Sequence, residues 1–176
     1  MTREVALGLV VVLALVLVGL GVWAWTSRTR RDRGLTAPVG EIPDGAVVAG
    51  SFDAFYVATT AHDEPLERLA IRGLGFRSRA TITVTSAGVA LDLTGQRRMF
   101  VPVSAIAGVD LATVAIDRVV EPGGLVRLAW RIGEATVDTF LRAQDAHART
   151  LEGAIAEILP RTLESSTPTT PTGTDV

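Results

Sequence analysis

The chain has 176 residues, 17 of them basic and 19 acidic, for a formal net charge of −2. Every basic residue is arginine and there is no cysteine, which excludes a Schiff-base or pyridoxal-phosphate lysine, a Walker-type phosphate loop, a disulfide framework, a thiolate nucleophile and a cysteine-based zinc site. A slightly acidic balance also argues against a face broad and basic enough to grip nucleic acid.

Residues 1–4 form a short N-terminus, and Val5 to Trp25 then run without a charged side chain. At 1.5 Å rise per residue that run spans roughly 32 Å, the thickness of a hydrocarbon core of about 30 Å. It predicts one transmembrane helix. The run ends in bulky aromatics and arginines instead of a small-residue cleavage site, so it reads as an anchor and not as a removed signal peptide. The expected membrane-interface residues are Trp23, Trp25, Arg28, Arg30, Arg31 and Arg33. Arginine excess after the helix, against an Arg3 offset by Glu4 before it, predicts an N-terminus outside and a C-terminal domain in the cytoplasm, at the inner face of the plasma membrane. The span has no GxxxG pairing of small residues and no ionisable group, so it offers neither a dimerisation face nor an ion path.

A basic and then Gly/Pro-rich linker follows over 26–45, broken by Gly34, Pro38, Gly40, Pro43 and Gly45. From 46 to 160 the pattern is that of a mostly β domain. Strands are expected at Ala46–Ala58 and Leu66–Ile71. Ala80, Ile82 and Val84 alternate with threonines, Ser86-Ala87-Gly88 turns the chain, and Val89, Leu91 and Leu93 alternate again, which predicts a hairpin. Further strands fit Met99–Val103 and Leu111–Val119. After the turn at Glu121–Gly124, Val126, Leu128, Trp130 and Ile132 face one way and Arg127 and Arg131 the other, and a tight turn at Gly133-Glu134 leads into Ala135–Phe140. One soluble helix is predicted over Gln144–Leu159, with Ala148, Leu151, Ile155 and Ile158 on one apolar stripe and Pro160 at its end. The Thr/Pro-rich tail, 161–176, is expected to be disordered. The fold class is therefore mainly β: about seven antiparallel strands in a small barrel or sandwich, capped by a C-terminal amphipathic helix, behind one transmembrane helix. That is the layout of pleckstrin-homology (PH)-like domains.

Several stretches carry a resemblance: Phe55-Tyr-Val-Ala-Thr-Thr60, Pro65-Leu-Glu-Arg-Leu-Ala-Ile-Arg-Gly-Leu74, Arg79-Ala80 with its hairpin, Gly124-Leu-Val-Arg-Leu-Ala-Trp130 and Asp138-Thr-Phe-Leu-Arg142. Over roughly residues 1–160 the chain resembles a family of actinobacterial single-pass membrane proteins with a PH-like domain, commonly labelled membrane, export or transporter proteins. The resemblance implies the PH-like fold and brings no catalytic residue with it.

Little else points to chemistry. His62-Asp63-Glu64 is the one local group of acid–base or metal-ligating side chains, and it reads as a solvated loop, because neighbours in a loop do not converge on one point. His147 reads as an exposed helix residue. The chain has no GxSxG, HExxH or dinucleotide fingerprint. No catalytic, cofactor-binding or metal-binding residue is assigned, and no enzyme activity is expected. The expected first hairpin loop, Ala61–Pro65, carries two acids that would repel a phosphorylated headgroup. Arg72, Arg77, Arg79, Arg97 and Arg98 remain as candidates for anion or partner contact. The expected partners are the lipid bilayer and a protein, with no nucleic acid and no specific phosphoinositide. These observations favour a non-enzymatic interaction module, scaffold or adaptor, at the inner membrane face. The alternative is an accessory subunit of a membrane transport or export system, since one anchor forms no pathway by itself.

Overall fold

The computed structural model describes the backbone of residues 3–32, 34–115, 118–119 and 123–160, and the side chains of 7–23, 34–113 and 123–160. The expected interface residues Trp25, Arg28, Arg30, Arg31 and Arg33 and the tail 161–176 lie outside the described side chains. A first helix, α1, spans Arg3–Asp32. It continues past the apolar run, where arginine is a good helix former, and ends at Asp32 before Gly34. Its described large apolar side chains, Leu7 to Trp23, are all at least half exposed. Among the described residues no helix is long and apolar enough to cross a membrane.

The domain is built on β1 (Val48–Ala61), β2 (Glu64–Arg68), β3 (Ser78–Thr85), β4 (Gly88–Leu93), β5 (Met99–Pro102), β6 (Ile106–Ala112), β9 (Leu125–Ile132) and β10 (Ala135–Ala143). A short ribbon of β7 (Val114–Ala115) and β8 (Arg118–Val119) lies between β6 and β9. The main sheet is antiparallel, in the order β5-β4-β3-β1-β10-β9-β6, with β2 beside the far end of β1. The long β1 is the hinge of this roll. Val48–Tyr56 pairs with β3, and Ala54–Ala61 pairs with β10. A bulge in β1 between Tyr56 and Ala58 shifts its register against β10. A bulge bends the strand and resets which side chains face inward. Tyr56 and Thr59 consequently share the interior face.

The alternating positions of the two hairpins point inward as their periodicity demands. Ile82, Val84, Val89, Leu91, Val126, Leu128 and Trp130 all have no exposed surface, and Ala80, Leu93 and Ile132 are buried with them. The terminal helix α2, Ala148–Ile158, closes this core with Leu151 and Ile155, both wholly buried. Gly88 has a steric reason for its place at the β3–β4 turn. Its φ is 154°, and a Cβ there would stand 2.2 Å from the Val101 carbonyl oxygen on β5. The β4–β5 pair can approach only without a side chain.

Several expected boundaries shift: β1 runs over Val48–Ala61 instead of 46–58 and β10 extends to Ala143, and three further shifts have a visible cause. Helix α2 starts at Ala148 instead of Gln144, because the Gln144 N–H donates to the Asp53 carbonyl at 2.8 Å and prolongs the β1–β10 ladder past Ala143. The strand expected at Leu111–Val119 begins earlier, at Ile106, with a register shift at Gly108, and its second half becomes the β7–β8 ribbon. The strand expected at Leu66–Ile71 is displaced to Glu64–Arg68 by the tight turn at His62-Asp63. Within the stretch read as linker, residues 36–40 lie along the sheet. Val39 bridges to Met99, the Phe100 N–H donates to the Pro38 carbonyl at 3.0 Å, and Ala37 is 9% exposed in the core. This segment thereby covers the outer edge of β5.

Candidate functional site

Asp138 is the least expected feature. It sits on β10 with its side chain 1% exposed, on the face of the sheet opposite Thr139 and Trp130. Its carboxylate is fully engaged. Oδ1 lies 2.8 Å from His62 Nδ1, and Oδ2 accepts the Asp63 backbone N–H at 3.0 Å and Arg127 Nη1 at 3.4 Å. Arg127, on β9, spreads its guanidinium over two further carboxylates. It reaches Asp110 of β6 through Nε and Nη2 at 2.9 to 3.1 Å and Asp63 through Nη1 at 2.7 Å. The Asp63 backbone is left-handed, with φ 58°, which lets the β1–β2 turn fold back over β10.

The electrostatics follow from this geometry. The hydrogen bond from Arg127, aided by the charge of His62, holds the Asp63 carboxyl below its ordinary value of 3.8. Its pairing is therefore present at neutral pH and is lost only as pH falls through the folded-state value below that figure. The bonds to Asp110 foremost, with those to Asp63, fix Arg127 more firmly in its charged form. Ligand atoms of His62, Asp63 and Asp138 all lie within 4.8 Å of one another, a spacing one cation can bridge. His62 Nδ1 and both Asp138 oxygens already pair within the cluster, and Arg127 sets one positive charge among the carboxylates of Asp63, Asp110 and Asp138. His62 held on Asp138 has the form of a catalytic dyad, but its Nε2 faces Asp63 Oδ2 at 3.5 Å and not a hydroxyl nucleophile. The cluster is a hydrogen-bonded clamp that ties the first hairpin turn to β10, β9 and β6. The reading of His62 and Asp63 as a merely solvated loop is corrected here: they converge on a buried acid from a distant strand.

A second buried polar set crosses the core. Trp130 Nε1 donates to Thr139 Oγ1 at 2.9 Å, Thr139 and Thr59 hydroxyls are 2.9 Å apart, and the Tyr56 hydroxyl is 3.0 Å from Thr59 Oγ1 and 2.8 Å from the Leu74 carbonyl. Each hydroxyl has one proton. A carbonyl can only accept, so Tyr56 donates to Leu74, Thr59 donates to Tyr56, and Thr139 donates to Thr59. All donors are then used once, in one direction. Burial pushes the Tyr56 phenol up to about 12, against smaller opposing effects of Thr59 and Arg68.

The five candidate arginines do not meet on one surface. Arg98 is consumed by Asp92, at 2.7 and 3.0 Å, and by Glu41 at 2.8 Å, and the Asp92 hydrogen bonds raise its already high pKa. Arg79 lines an open cleft of about 360 Å³ together with Asp53, Asp92 and Asp145, an acidic setting that disfavours an anion. Arg72 and Arg97 line another cleft, of about 310 Å³, floored by Ala37, Leu74, Leu93 and Met99. Arg77 is exposed on the β2–β3 loop near them. Trp23 is 69% exposed on α1, and His147 stands at the N-cap position of α2 with an exposed side chain that makes no capping hydrogen bond.

An eight-stranded antiparallel roll closed by a C-terminal helix is the architecture of a PH-like domain, and the comparison with known families agrees. The family model described as bacterial PH domain-like matches residues 35–154, and the chain belongs to that family. The match starts at the segment that covers the β5 edge and stops within α2. No curated protein matches the chain.

Proposed function

We propose that this protein is a non-enzymatic interaction module, an adaptor or scaffold, held at the inner face of the plasma membrane by α1. The observation that carries the reading is the contrast between the two helices. Helix α2 has one apolar stripe, and the sheet buries it. Over residues 7–23 helix α1 carries no charged side chain on any face, and Leu7, Leu13, Leu17 and Leu20 remain more than half exposed, covered by no described part of the protein. Exposed hydrocarbon costs roughly 25 cal/mol per Å² in water, and a helix apolar all round is at home in a bilayer. Trp23 and Trp25, then Arg28, Arg30, Arg31 and Arg33, suit the interface and the cytoplasmic side.

The domain itself supports binding over catalysis. The His–acid cluster found among the described residues is engaged in internal pairing, and the clefts are lined by no other histidine–acid pair brought together. Tethering confines it to a thin layer and raises its effective concentration toward anything else there. The partner under this reading is a protein that contacts the domain. In-membrane crosslinking of the full chain, with residues 5–25 native or replaced by an unrelated transmembrane helix of the same topology, is the test. The same protein should be captured by both. Loss of the partner on replacement, with expression and folding intact, would place recognition in the membrane and favour an accessory role in transport or export.

A further inference from the structure

The β2–β3 loop presents a combination that nothing in the domain's own packing explains. Phe76 is 87% exposed, the most exposed large apolar side chain described. It follows Gly75 and precedes Arg77, at the tip of a loop whose Gly73 has φ 91°. Arg72, four residues before Phe76 in the same loop, lines one cleft with Arg97, and neither arginine has an ion pair among the described residues, unlike Arg98 and Arg127. The same cleft is walled by Thr36 and Val39, and Thr36 bridges directly to Arg72. Helix α1 ends at Asp32. The intervening chain, fully extended, spans at most about 14 Å. The loop is therefore tied to the end of α1 by a very short leash.

We infer that this face is a second membrane contact: Phe76 enters the headgroup region of the bilayer that holds α1, while Arg72 and Arg97 bind the phosphates of anionic lipids. The inference rests on the membrane-anchor reading above. An aromatic ring is stable at the water–hydrocarbon interface, where its apolar body is covered. Two guanidinium groups without carboxylate partners bind phosphate oxygens by charge-assisted hydrogen bonds. Each is worth about five-fold in partition to an anionic surface. This contact is weak by itself and becomes effective because α1 delivers the loop to the surface. It lies away from the β1–β2 turn, whose Asp63 is committed to Arg127. It orients the domain: the roll stands on its β2–β3 loop.

The absence of native cysteine allows a single reporter. A Cβ at Gly75 meets nothing within 4 Å, so Gly75→Cys can carry an environment-sensitive dye beside an intact Phe76. The exposed Glu134, in the β9–β10 turn, serves as the reference site as Glu134→Cys. The full chain is reconstituted into phosphatidylcholine vesicles with or without phosphatidylglycerol, and quenching by acrylamide is measured. The dye at 75 should be blue-shifted and shielded when phosphatidylglycerol is present, while the dye at 134 stays accessible. Arg72→Gln and Arg97→Gln should each lower the ratio of shielded to free dye about five-fold, and Phe76→Ser should remove most of the shift. Equal quenching at 75 and 134 in both lipids would overturn the inference, as would shielding that ignores both phosphatidylglycerol and the arginine changes. Shielding seen only in native membrane vesicles, not in pure lipid, would assign the face to a protein and overturn it too. Flotation of the same samples separates the two readings. A chain that floats with an exposed label sinks the lipid contact alone, whereas a chain that does not float sinks the anchor and the contact together.

Discussion

Tyr56 is the chain's single tyrosine, and its hydroxyl relays a one-way chain of hydrogen bonds from Trp130 to the Leu74 carbonyl. Its phenol is raised from 10.0 to about 12. The folded state thus holds that proton more tightly than the unfolded one. The associated stability is present in full below pH 10 and is lost as pH rises from 10 through about 12, a change of about 3 kcal/mol. Tyrosinate absorbance reads this residue alone: the native chain should titrate near 12 and the denaturant-unfolded chain near 10, and a native midpoint near 10 would show the hydroxyl open to water. Asp138 offers a second residue-scale test. Asp138→Ala strands His62, the Asp63 N–H and part of Arg127 without their acceptor, and should cost about 3 kcal/mol in chemical denaturation. Glu134→Ala, at an exposed turn, should change stability by less than about 0.5 kcal/mol.

Helix α2 is the element on which the closed roll depends. Leu151 and Ile155 have no exposed surface and join the same core as Trp130 and Ile82. Leu151→Asp drives a charge into that core and should destabilise the domain by on the order of 4 kcal/mol, seen as a lowered melting temperature. An unmoved melting curve would mean that the helix does not dock in solution. The stripe of α2 and the two hairpins were legible because burial on one face writes a period of 3.6 or 2 into the residues. What lay beyond such reading was set by irregularities and by distance along the chain. The β1 bulge puts Thr59 indoors where simple alternation from Tyr56 would not. The Asp138 clamp draws its partners from β1–β2, β6 and β9, and no local pattern announces that His62 will reach β10. Part of the linker is likewise illegible: Ala37 and Pro38 meet the edge of β5, a contact that their Gly/Pro-rich surroundings do not signal.

At the scale of the whole molecule, the proposal treats α1 as a tether and the PH-like roll as the part that reads a partner. Under the topology proposed from the arginine bias, a reporter fused after Val176 should be active on the cytoplasmic side, and an exported readout would reverse it. The central claim is the tether itself, and membrane fractionation of the full chain under alkaline wash tests it most directly, alongside a chain lacking residues 5–25. The account predicts that the full chain stays in the membrane pellet while the shortened chain is released as a folded domain. Release of the full chain by the same wash would contradict it.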